Sequence, residues 1–174
     1  MNVDQKILVR QITPYTCSLA CLESVYKQHG HTTTQQSLLN DYPDLCFVGR
    51  ILDGRDISGA LDPDEFEALC RELGLQPLRF TELVVENIEA LRNLNDNQVA
   101  IFYSAKFDDN PAQRHYFRFL EIDQSDWFCF MNPTDTTLFG VIPQRLIDWQ
   151  TQVFVLTLPT SSGDISGEAT AATE

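Results

Sequence analysis

The chain has 174 residues, 43% of them hydrophobic and 21% charged, the balance of an ordinary soluble protein with room for one sizeable core. Its 12 Lys and Arg stand against 25 Asp and Glu, a formal charge of −13, and the basic residues are scattered singly. That balance argues against a nucleic-acid partner and against an anionic membrane surface, since either would be repelled.

From the N-terminus, Met1 to Lys6 carries no apolar signal core, and no apolar run approaches the roughly 20 residues of a membrane helix, so a cytoplasmic location is expected. Ile7 to Gln11 is short, apolar and expected to be extended. It is closed by Thr13-Pro14, because residues ahead of a proline avoid the helical region. A helix follows, with Leu19, Leu22, Val25 and Tyr26 at three- and four-residue spacing and Gly30 as its stop. Thr16 is its candidate N-cap, which puts Cys17 in the first turn. A second short helix is expected from Thr34 to Asp41, ahead of Tyr42-Pro43. Asp44 to Ala60, with three glycines, reads as a loop. Asp62-Pro63-Asp64-Glu65 opens a third helix, carrying Phe66, Leu69, Cys70 and Leu73 on one face and ending at Gly74. A fourth covers Val85 to Leu94.

The chain then changes character. Gln98–Ser104, His115–Ile122, Trp127–Met131 and Val153–Leu158 are rich in aromatic and β-branched residues and bounded by turn formers, so they read as strands. A short helix, Pro143 to Gln150, precedes the last of them. Pro159 to Glu174 is almost without bulky apolar residues and is expected to be a disordered tail. Residues 1–158 are therefore expected to form one α+β domain, N-terminal helices packed on a C-terminal antiparallel sheet.

The five cysteines, Cys17, Cys21, Cys46, Cys70 and Cys129, form an odd set without CxxC pairs, and the three histidines are not spaced to them as ligands. Neither a metal site, a cofactor nor a disulfide framework is expected. Most of these thiols should be buried hydrophobes. Cys17 differs, because a helix N-terminus lowers a thiol pKa from about 8.5 and favours the nucleophilic thiolate. His29 and His31 lie at the far end of the same helix, roughly 18 Å away at ~1.5 Å rise per residue. His115, opening a strand after a polar loop, is the remaining candidate base. Asn132, at the end of the next strand and folded back beside it, is a candidate to fix the imidazole.

Gln11 six residues before Thr16-Cys17-Ser18-Leu19-Ala20-Cys21-Leu22, with Gly30 after one helix, resembles the opening of the C39-type peptidase domains, a papain-like family that includes the double-glycine-cleaving bacteriocin-processing enzymes. Ile57 to Leu75, His115-Tyr116-Phe117, Met131-Asn132-Pro133 and Leu146-Ile147-Asp148-Trp149 resemble that family's later segments, so the likeness spans about Gln11 to Leu158. It implies a papain-like cysteine peptidase fold acting on a peptide or protein substrate. It further implies Cys17 as nucleophile, His115 as general base and acid, Asn132 as the orienting residue, and Gln11 as side-chain donor to the oxyanion. Thr16-Cys17-Ser18 departs from the family's Asp-Cys-Gly. Asn132 stands where the family usually has Asp, which keeps Asp135 as a reserve candidate. The same constellation could serve a glutamine deamidase or acyl transferase, and a papain-like frame could also be a non-catalytic binding module.

Overall fold

The computed structural model describes Asp4 and residues 7–159. Its helices are α1 (Cys17–Gln28), α2 (Gln35–Asp41), α3 (Pro63–Glu72), α4 (Val85–Arg92) and α5 (Pro143–Asp148). Its strands are β1 (Ile51–Leu52), β2 (Arg55–Asp56), β3 (Gln76–Phe80), β4 (Gln98–Ser104), β5 (His115–Ile122), β6 (Phe128–Met131), β7 (Leu138–Val141) and β8 (Thr151–Thr157). Six strands form one antiparallel sheet in the order β3-β8-β4-β5-β6-β7, while β1 and β2 pair only with each other. The arrangement is α+β, as the chain's two halves imply.

Both faces of the sheet are covered, which is why its central strands read as nearly continuous apolar runs. On one face Leu19 and Leu22 of α1 and Phe66 and Leu69 of α3 pack on Ile101, Tyr103, Tyr116 and Phe154. On the other, Ile88 and Leu91 of α4 and Leu146 of α5 pack on Phe102, Phe117, Phe128, Phe130 and Val153. Burying each such side chain contributes about 1.5–3 kcal/mol.

The helix starts follow local chemistry. Asp62 accepts from the N–H groups of Asp64 and Glu65, and the Glu65 carboxylate reaches back to the Asp62 N–H, with Pro63 at the first helical position. Thr34 and Ser37 make the equivalent reciprocal pair for α2. Thr16 departs from expectation. It occupies the N-cap of α1, but its hydroxyl makes no cap bond and donates instead to Gln35 Oε1 at 2.9 Å.

Four strands lie outside those expected from the sequence. Strands β3 and β7 are the two edges of the sheet, short and half-exposed, and Pro77 and Gly140 within them weaken a strand signal. Inside the 44–60 loop, β1 and β2 form a hairpin whose two-residue tip, Asp53-Gly54, has φ of 49° and 75°, the left-handed conformation of a type I′ turn. Ile7 to Gln11 is not a ladder strand; Val9 N–H donates to Met131 Sδ at 3.3 Å and Gln11 N–H to the Pro133 carbonyl at 2.8 Å. The expected tail lies, from Thr160 onward, outside the described residues.

Two contacts fix α1. Arg118 of β5 is only 2% exposed, and its guanidinium donates to Ser24 Oγ and Gln28 Oε1 of α1. No carboxylate among the described residues pairs with it, and burial pulls its pKa down to about 10. Gly59 (φ +81°) lies against the first turn; a Cβ there would sit 2.9 Å from Thr16 Cγ2 and 3.1 Å from Leu19 Cδ1. Ser24→Ala should cost about 1–3 kcal/mol in urea unfolding by stranding a buried charged donor. Arg118→Met, which removes the charge with its partners' burden, should cost less than Ser24→Ala. Gly59→Ala should cost about 1–3 kcal/mol in the same assay, from overpacking and left-handed backbone together.

Candidate active site

Cys17, the first residue of α1, meets β5 where that strand begins. The backbone of Tyr116, the residue after His115, interacts with the Cys17 sulfur together with the first-turn backbone at Ser18 and Cys17. These contacts favour a thiolate, but burial outweighs them and pushes the thiol above its ordinary value. This overturns the expectation of a lowered pKa. The positive helix end is present, yet it is weaker than the loss of water around the sulfur. Cys21, one turn on, is fully buried in the core, and all five cysteines are free.

Strand pairing brings His115 and Asn132 together. Strands β5 and β6 are antiparallel with Arg118 opposite Met131, so the start of β5 and the residue after β6 lie at one end of the sheet. His115 Nε2 and Asn132 Oδ1 are 2.9 Å apart, and the same Oδ1 accepts from Thr134 N–H at 3.0 Å. A backbone donor requires an oxygen there, which settles the carboxamide orientation; the oxygen in turn requires Nε2 to carry the hydrogen. Nδ1 is then the basic nitrogen. The Asn132 backbone is pinned by a turn in which its N–H donates to the Thr137 carbonyl and its carbonyl accepts from Thr136.

The imidazole is 6% exposed and packed 4.8 Å, ring to ring, from Phe107, which lies 5.1 Å from Trp149. Burial holds His115 below the ordinary histidine value, against the opposite pulls of the Asn132 bond and the Asp135 charge. Asp135, the reserve candidate, does not take the ring. It is exposed and accepts from the N–H and hydroxyl of Thr137, which lower its pKa. Cys17 and His115 are therefore both biased toward their neutral forms.

Gln11 joins this end of the sheet through its N–H bond to Pro133, next to Asn132, and its side-chain oxygen is buried without a partner. A residue that sequence reasoning missed holds it there. Gln35, 2% exposed, accepts from Ile12 N–H and the Thr16 hydroxyl through Oε1, and donates through Nε2 to the Arg10 carbonyl and Glu23 Oε2, all at 2.9–3.0 Å. All four of its carboxamide valences are used, so it ties the strand-like segment 10–12 to the start of α1. Glu23 is desolvated, but Lys27 at 2.7 Å and the Gln35 donors outweigh that and hold its carboxyl low. In sequence, Gln35-Gln36 is indistinguishable from a solvated first turn.

No metal-binding cluster of His, Cys, Asp or Glu occurs among the described residues, and none of their helices is long and apolar enough to cross a membrane. No family model matches the chain, and no curated protein matches its sequence. Among solved structures, the peptidase domain of Streptococcus ComA, a bifunctional ABC transporter involved in quorum sensing, is similar with a TM-score of 0.59 at 16% identity. The match covers 87% of this chain and 97% of that one. The peptidase domain of Streptococcus mutans ComA gives 0.50 at 11% identity, covering 84% and 96%. At such identities the likeness is one of architecture. The fold is the papain-like α+β fold of the ComA peptidase domains, the one that the C39 resemblance implies.

Proposed function

We propose that this protein is a cysteine peptidase that cleaves a peptide bond through an acyl-enzyme on Cys17. The observation that carries the reading is the His115–Asn132 bond. It leaves Nδ1 basic on a residue whose chain neighbour, Tyr116, interacts through its backbone with Cys17 in the first turn of α1. The fold shared with the ComA peptidase domains supports it.

Because burial raises the thiol and lowers the imidazole, the pair rests neutral. Attack then moves the Sγ–H proton to His115 Nδ1 as the sulfur–carbon bond forms. Negative charge on the former carbonyl oxygen is met by the Cys17 N–H and the Gln11 carboxamide. Asn132 keeps the ring in plane while it is cationic. The imidazolium returns the proton to the amine, the C–N bond breaks, and a water deprotonated by the same imidazole hydrolyses the thioester to release the acid and the free thiol.

Peptide cleavage followed by mass spectrometry tests this directly. Cys17→Ala and His115→Ala should each lose at least about 10³-fold in kcat/KM, and Gln11→Ala about 10²–10³-fold. Ammonia release from a glutamine-bearing substrate without chain cleavage would instead mark a deamidase. The acid limb of kcat/KM should reflect His115. Rate is full while the imidazole is neutral and is lost as pH falls through its folded pKa. Since burial depresses that pKa, the limb should lie below about 6.5.

A further inference from the structure

Where β5 begins, a cavity of about 480 Å³ is lined among others by Asp62, Asp64, Arg79, Tyr103, Lys106 and Arg114. Its position follows from the sheet: Ser104 is the register partner of His115, Arg114 immediately precedes His115, and Tyr103 and Lys106 flank Ser104. Arg114 and Lys106 therefore stand within two residues of the Ser104–His115 pair at this end of the sheet.

The charges of this cavity are unevenly compensated. Arg79 is matched by Asp64 and by Glu67 at 3.3 Å, and its Nε and Nη2 both donate to Gln152 Oε1. Asp62 is turned into the start of α3, where its carboxylate accepts two backbone N–H groups. The Arg114 guanidinium lies near the Tyr103 hydroxyl, and among the described residues neither it nor the Lys106 ammonium has an ion pair. Arg114 and Lys106 thus leave two cations of this one wall without an acidic partner among the described residues, while the cavity's third cation, Arg79, is matched. A guanidinium and an ammonium at one wall match a carboxylate.

We propose that Arg114 and Lys106 select a substrate carboxylate beside the scissile bond, either an Asp or Glu side chain or the C-terminal carboxylate of a short peptide. The proposal rests on the peptidase reading and adds a substrate class to it. The sign of the effect is diagnostic. The chain's overall field repels anions, so a preference for acidic peptides has to come from a local device.

The test uses the full chain and a peptide library in which each position within three residues of the cleaved bond is Glu or Gln, each peptide made with a free and an amidated C-terminus. The expected result is kcat/KM higher for one placement of the carboxylate by roughly five- to tenfold, the scale of two solvent-accessible charge contacts. The position or terminus that shows it identifies the source. In Arg114→Gln and Lys106→Gln the acidic-to-neutral ratio should fall toward one, and Arg114→Lys should recover part of it. Equal cleavage of acidic and neutral peptides overturns the proposal while leaving the peptidase reading intact, as does a preference that persists in both variants. If no peptide is cleaved in a Cys17-dependent way, the peptidase reading fails and this inference falls with it.

Discussion

The site exists only if the first turn of one helix is held against the first residues of one strand, and a buried guanidinium is what holds them. Arg118 lies three residues past His115 on β5, and it grips Ser24 and Gln28, well down α1 from Cys17. Ser24 in turn donates to the Ile7 carbonyl, so the same knot fastens the N-terminal segment. An unpaired buried cation is an expensive way to join two elements, since its hydration is lost without a neutralising carboxylate. It is also a directional one. Two apolar surfaces could slide by a residue, whereas a planar fork aimed at two named oxygens fixes register.

Gln35 does for the other wall what Arg118 does for the helix. The segment bearing Gln11 has no ladder to hold it, and a loop of unpaired amides would wander. One buried carboxamide supplies the missing bonds to Arg10, Ile12 and Thr16, and Glu23 braces it from behind. The candidate oxyanion donor is thus positioned from a helix twenty-odd residues downstream. The polar knots bracket an interior of aliphatic and aromatic side chains; Gln35 is fully matched in them, whereas Arg118 Nε is buried without a partner.

Much of this was legible in the sequence, for physical reasons that differ by element. Helix α3 announces itself through Asp62-Pro63 and Glu65, because capping is local chemistry. Strands β4 and β5 appear with their observed ends because central strands must be apolar on both faces. Edge strands answer to neither demand: β3 carries Pro77 and an exposed Leu78, and β7 is four residues long with Gly140 under Trp127. At the site, the pairing of His115 with Asn132 follows from two antiparallel neighbours ending together. The protonation balance of Cys17 does not, since the amides that favour thiolate are visible as a helix start while the burial that opposes them belongs to the tertiary fold. Gln35 was invisible for the same reason.

That burial has a bearing on the molecule's chemical lifetime. Peroxide attacks thiolate, and a sulfur kept protonated at rest offers it little purchase. Under the proposed mechanism Cys17 becomes an anion only while an acyl carbon is there to receive it, and the four remaining thiols are buried. Slow wear, rather than speed of ionisation, is what this arrangement of the first turn favours.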